Sequence, residues 1–262
     1  MSPSALPRGA AEDLVRAVSP GVLGTLARRW GDFTSAEDAV QDAIVAALER
    51  WEQTPPDDPR GWLLRVAERR LVDAYRSSAA RERRERLAAA ALAITDGERD
   101  AGTSASDDGV VHHDDTLTVL YLCCHPALSS ASSIALTLRA AGGLSTSQIA
   151  AAFLVPEATM AQRISRAKHR LREQEQPFAP PPSADRPRRL RLVRHVLYLM
   201  FSEGYTSTAG TRLHTDELTT EAIRLTRRLH RMLPSDADTT GLLALMLLTD
   251  ARRAARTGAG RQ

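Results

Sequence analysis

Between Leu144 and Leu171 the sequence LSTSQIAAAFLVPEATMAQRISRAKHRL gathers side chains suited to hydrogen bonding with base edges and phosphates. Gln162, Arg163, Arg166, Lys168 and Arg170 are all donors, and an arginine fork matches the paired acceptors of guanine or two phosphate oxygens. A second concentration precedes it. Arg65, Arg69, Asp73 and Arg76 recur at i, i+4, i+8 and i+11, and Arg81, Arg83, Arg84 and Arg86 extend the positive charge. Trp62 and Tyr75 stand among these cations, so stacking on exposed bases is available beside phosphate binding. Bond-making chemistry finds no comparable support. His112, His113, Cys123, Cys124 and His125 lack CxxC spacing, and neighbouring cysteines on a helix diverge by about 100°. A metal site is not expected, nor is a disulfide framework, and a structural role for the two thiols is favoured over redox sensing. With no phosphate loop and no nucleophile–base pattern, the chain reads as a non-enzyme that needs no cofactor.

These side chains need elements to hold them. Ser145 and Gln148 have capping-box spacing, and Ile149, Ala150 and Phe153 give the short helix that follows an apolar face. Pro156 suits the start of a new helix, in which Met160, Ile164, Ala167 and Leu171 form a buried stripe opposite the donors. A short helix, a turn and a basic helix make a helix-turn-helix; an ordinary helical hairpin with a solvated basic face has the same local pattern. Upstream, Ser35 opens a helix with Asp38 at capping-box distance. Val40, Ile44, Ala47, Leu48 and Trp51 face inward there, while Asp38, Gln41, Asp42 and Glu49 face out. Asp58 caps the arginine helix at Pro59, and Trp62, Leu63, Val66, Ala67 and Ala74 turn inward. Before these, helices are expected over 12–18 and 20–30, divided at Ser19 and Pro20 and stopped by Gly31.

Composition fits an all-α protein: 262 residues, 43% hydrophobic, 4% aromatic. The net charge of +3 conceals segregation. Residues 32–58 carry eight carboxylates against one arginine, 60–86 nine arginines against four carboxylates, and 95–115 seven carboxylates against one arginine. Such blocks fit separate partners for separate surfaces. Neither a signal peptide nor a transmembrane run is expected, so a cytoplasmic location without membrane contact is. Residues 1–10 read as disordered, 88–115 as an acidic flexible linker, and 176–187 as a stiff proline linker. Beyond it, Leu190, Val193, Leu197 and Met200 form a stripe ending at Gly204, where SEGYTST reads as a glycine cap with Tyr205 packing back. Leu218, Ala222, Leu225 and Leu229 form another stripe. Leu242 to Leu248 is apolar nearly all round, hence buried or awaiting a partner.

Three motifs in this order, AEDAVQDAIVAALERW at 36–51, PRGWLLRVAERRLVDAYR at 59–76 and the helix-turn-helix, resemble the extracytoplasmic-function class of the sigma-70 family. The resemblance implies sigma region 2 over 11–87, region 4 over 116–175 and a helical C-terminal extension with a regulatory role over 188–262. It implies that Asp38, Gln41, Asp42 and Glu49 dock on the beta-prime clamp of bacterial RNA polymerase core. Trp62, Arg65, Arg69, Arg70, Asp73, Tyr75, Arg76, Arg81 and Arg84 would melt and read the −10 element. Glu157, Thr159, Ala161, Gln162, Arg163, Arg166, Lys168 and Arg170 would meet the −35 element. The implied function is promoter-directed transcription initiation, with core polymerase, promoter DNA and a regulator contacting the extension as partners. Arg69 stands where the class often has Asn, Pro156 where it often has Ser, and Ala161 where a longer polar residue is frequent, which favours shape readout of the −35 duplex. LYLCCHPALSSASSIALTLRAAGGLS and LYLMFSEGYTST resemble a subgroup with a helical extension in place of a separate anti-sigma factor. Members of that subgroup continue with further hairpins, so a short or truncated form is expected. The competing expectation is a helix-turn-helix regulator that never meets core polymerase.

Overall fold

The computed structural model describes residues 9–92, 115–174, 178–206 and 212–258. Helices α1 (Ala10–Trp30), α2 (Phe33–Trp51) and α3 (Pro59–Leu92) form the first unit. Helices α4 (Thr116–Cys123), α5 (Ser130–Ala140), α6 (Thr146–Ala152) and α7 (Glu157–Glu173) form the second. The extension contributes α8 (Arg186–Thr206), α9 (Arg212–Met232) and α10 (Ala237–Gly258). The protein is all-α, and no strand occurs among the described residues. None of the described helices is long and apolar enough to cross a membrane.

In the first unit Leu23, Leu26, Val40, Ile44, Ala47, Trp51, Leu63, Ala67 and Leu71 make the core. Several local expectations give way here to packing. α1 runs unbroken through Pro20. A proline fits helical φ, and its cost is the missing N–H, which leaves the carbonyl four residues back without its usual donor. α2 begins at Phe33 rather than Ser35, because the Asp32 carboxylate accepts the N–H groups of Thr34 and Ser35 at 2.9 and 3.1 Å. Ala74 is exposed, and Leu71 takes the inward place one turn after Ala67. Leu48 is 37% exposed, because the stripe Val40–Ile44–Ala47–Trp51 already closes that side of α2. The cap at Asp58 is present, with Oδ1 accepting the Gly61 N–H at 2.9 Å.

The second unit follows its sequence closely. Ser145 Oγ accepts the Gln148 N–H at 3.2 Å and Gln148 Oε1 accepts the Ser145 N–H at 2.9 Å, completing the capping box. Met160, Ile164, Ala167 and Leu171 are buried. Asp115, expected in the flexible linker, is instead buried against α1 and ion-paired with Arg28 at 3.0 Å; residues 88–92, expected in the same linker, continue α3, and residues 93–114, with His112 and His113, lie outside the described residues.

Cys123 and Cys124 are free and buried. Burial pushes the Cys123 thiol far above its ordinary value and raises Cys124 to about 12. Since the thiolate is the reactive form, both thiols are expected to resist Ellman's reagent at pH 8 until the chain unfolds. Rapid labelling of the native protein would refute this.

In the extension, Val193, Leu197, Met200 and Phe201 of α8 are buried with Leu218, Ala222, Leu225 and Leu229 of α9. α8 continues past Gly204 to Thr206. Arg194 forks to Asp236 at 2.6 Å and Asp238 at 2.7 Å, tying α8 to the start of α10. Within Leu242–Leu248 only Met246 is fully buried, while Leu245 and Leu248 stand 51% and 67% exposed. The buried apolar residues of all three units join one cluster.

Candidate nucleic-acid and polymerase interface

The second helix of the helix-turn-helix presents Glu157, Thr159, Ala161, Gln162, Arg166 and Arg170 to solvent. The turn before it places Leu154 in the left-handed region, φ 52°. Arg163 is half-buried and its guanidinium lies 5.8 Å from the Phe153 ring centre, so a residue of the preceding helix end orients it. Arg170 donates to the Ala127 carbonyl at 3.3 Å. Lys168 departs from the expected set. It is buried, and its Nζ donates to Glu37 at 2.6 Å and to Asp38 at 2.5 Å. Lys168 sits one turn beyond Ile164, on the edge of the buried stripe, so the helix carries it toward α2.

On α3, Arg65, Arg69, Arg70, Asp73, Arg76 and Arg81 are exposed, and the side chain of Arg84 lies outside the described set. The two candidate stacking residues are already engaged. Tyr75 stacks on Trp30 with ring centres 5.3 Å apart and planes 13° apart. Trp62 is half-buried and meets Trp51 edge to face at 5.4 Å. Partial burial, and after it the Asp32 carboxylate, pushes the Tyr75 phenol above its ordinary value, keeping it neutral. Tyr75 is 37% exposed, leaving part of its ring available to a base.

The expected docking face on α2 is divided. Asp42 and Glu49 are exposed, and beside them stand Val45, which sequence reasoning did not single out, and Leu48, which it had facing inward. Asp38 instead holds Lys168, and Gln41 is buried, its Nε2 donating to the Arg139 carbonyl at 2.9 Å. Beside them lies Glu37, 1% exposed, whose carboxylate accepts from Lys168 Nζ at 2.6 Å and is ion-paired with Arg139 Nε at 2.7 Å. A buried carboxylate flanked by two cations thus joins α2 to α5 and α7. Arg139, at the end of α5, was not anticipated. Among the described residues no cluster of three or more His, Cys, Asp or Glu side chains could hold a metal ion.

Comparison with known proteins assigns the helices that carry these surfaces to domain families. Residues 14–81 match Sigma-70 region 2, and residues 118–171 match Sigma-70, region 4. Residues 189–262 match a family of unknown function. An uncharacterized protein of Rhizobium meliloti (strain 1021) is 40% identical over 239 residues, covering 90% of this chain and 56% of its own length. The chain therefore spans a little over half the length of that relative. No solved structure matches. With region 2, then region 4, then a helical extension, the chain has the make-up of an extracytoplasmic-function-type member of the sigma-70 family.

Proposed function

We propose that the protein is a promoter-specificity subunit that binds bacterial RNA polymerase core in the cytoplasm and directs initiation through −10 and −35 elements. The observation that carries this reading is the placement of two solvent faces on region 2 and one on region 4: carboxylates on α2, guanidiniums on α3 and hydrogen-bond donors on α7. The α2 face would dock on the beta-prime clamp through Asp42 and Glu49, with Val45 and Leu48 adding apolar area and Asp38 and Gln41 joining once region 4 moves away. The arginines of α3 would hold the phosphates of a melted strand, and Tyr75 would offer its open ring to a base. Gln162, Arg163 and Arg166 would enter the major groove. In this role the protein positions other groups and makes no bond itself. Residues 11–87, 116–175 and 188–262 would act as promoter-melting, promoter-anchoring and regulatory units, with the extension open to contact by a regulator.

The test is gel filtration of the full chain with core polymerase, without DNA, at moderate salt. A stoichiometric complex is expected. Asp42→Arg with Glu49→Arg, both at exposed positions, is expected to weaken it by at least about tenfold, because like charges then face a basic partner surface. Undiminished affinity in that variant would remove α2 from the docking assignment. A helix-turn-helix regulator that never meets polymerase gains some support from the engagement of Asp38 and Gln41 with region 4. It requires the absence of a core complex however far the two regions are separated.

A further inference from the structure

Region 2, region 4 and the extension meet at one point, where backbone carbonyls of the first two accept from side chains of the third. In α1, Pro20 has no N–H to offer the carbonyl of Arg16. Arg224 of α9 fills the gap, its Nη1 donating to that carbonyl at 3.2 Å. Its Nη2 donates to the carbonyl of Ala141, which follows the last turn of α5, at 3.0 Å. Arg228, one turn on, donates to the Ala17 carbonyl at 2.9 Å. The Arg224 guanidinium is fixed by the buried Glu221, with contacts of 2.6 and 2.9 Å. The turn after α5 is shaped to admit both neighbours. A Cβ at Gly142 would lie 2.4 Å from the Leu138 carbonyl oxygen and 3.1 Å from Glu221 Oε1. One at Gly143, where φ is +69°, would lie 3.2 Å from Ser19 Oγ. One arginine of the extension thus bonds to region 2 and region 4 at once.

That junction holds an arrangement unsuited to promoter reading. The −10 and −35 elements, about 25 base pairs apart, span roughly 85 Å of duplex at about 3.4 Å per base pair. Here Lys168 of the −35 helix touches Asp38 of the docking helix at 2.5 Å. The two regions cannot reach both elements while that contact stands. Resting on the promoter-specificity reading above, we propose that α9 is an intramolecular latch: Glu221, Arg224 and Arg228, seated on the α1 carbonyls before Pro20 and on the Gly142–Gly143 turn, hold regions 2 and 4 closed, and release of α9 frees Asp38 and Gln41 to complete the polymerase-docking face of α2. The latch is built from hydrogen bonds to backbone carbonyls, which water can replace on release, so it is suited to reversible opening.

The experiment uses the full chain labelled for energy transfer at two exposed positions, Glu52→Cys in region 2 and Glu173→Cys in region 4. Arg224→Ala with Arg228→Ala is compared with the parent for inter-label distance and for affinity to core polymerase. Arg228→Ala alone, which leaves the buried Glu221–Arg224 pair intact, serves as the milder variant should the double one fail to fold. Lower transfer and about tenfold tighter core binding are expected, with a smaller shift in the same direction for the single variant. Unchanged transfer and unchanged affinity in a folded variant would overturn the latch while leaving the sigma reading in place. Lower transfer with no core complex in any form would uphold the tie between the regions and overturn the sigma reading.

Discussion

Replacing Glu37 with alanine is expected to remove about 3–5 kcal/mol from the closed arrangement, the cost of breaking a buried ionic cluster from one side. The carboxylate is 1% exposed and lies 2.6 Å from Lys168 and 2.7 Å from Arg139, side chains that are themselves only 9% and 15% exposed. Alanine leaves both cations desolvated, with only Asp38, largely in solvent, remaining beside Lys168. Relief comes from moving region 4 off α2, so the loss should appear as uncoupling of the two regions in urea. All three tryptophans, Trp30, Trp51 and Trp62, lie in region 2, so their fluorescence follows that region while circular dichroism follows every helix. The two signals should separate in Glu37→Ala and coincide in the parent. Glu52→Ala, at an exposed position, should change little. Replacing Glu37, Arg139 and Lys168 together by apolar residues of similar size should recover most of the loss, because the penalty lies in unpaired charge. A loss under about 1 kcal/mol in Glu37→Ala would mean that water reaches both cations and that the cluster acts as a surface bridge.

How much of this was legible in the sequence depends on what sets each feature. The helix-turn-helix was readable because its determinants are local: a capping box at Ser145 and Gln148 and a stripe at Met160, Ile164, Ala167 and Leu171. The all-α class was likewise written in short-range periodicity, while the order of the sigma regions followed from the resemblance of three motifs to a known family. Pro20 misled because local rules weigh the lost hydrogen bond, whereas the structure supplies a donor from Arg224, more than two hundred residues away. Lys168 misled for a related reason. Its position on the edge of the stripe was visible, but a lysine there is ordinarily solvated, and only the approach of Glu37 and Asp38 makes burial tolerable. The exposed apolar pair Val45 and Leu48 was hidden because helix periodicity does not say which of two adjacent apolar rows meets the core. Local physics thus gave the elements, and the junctions between the three units, carried by side chains far apart in sequence, had to be seen.

Arg166→Ala is expected to cost about 1–3 kcal/mol of promoter affinity, roughly five- to 150-fold, if its guanidinium reads a base. Arg166 stands exposed on the outer face of α7, in reach of a groove without rearrangement of the fold. Arg163 should lose a comparable amount, and Phe153→Ala a smaller part of it, because the ring at 5.8 Å orients the guanidinium without touching DNA. Lys168→Ala should differ in kind. The lysine is committed to Glu37 and Asp38, so its removal should leave duplex binding by the closed chain almost unchanged while loosening region 4 from region 2. The measurement is fluorescence anisotropy with a −35 duplex selected from a random pool, against a scrambled duplex, at several salt concentrations. A base-reading arginine loses affinity for the selected duplex alone. A phosphate-binding one loses it equally for both and lowers the salt slope by about one. Equal losses at Arg163 and Arg166 on both duplexes would move specificity onto duplex shape, to which Ala161, short and exposed on the same face, already lends itself. No loss on either duplex would remove α7 from the DNA interface.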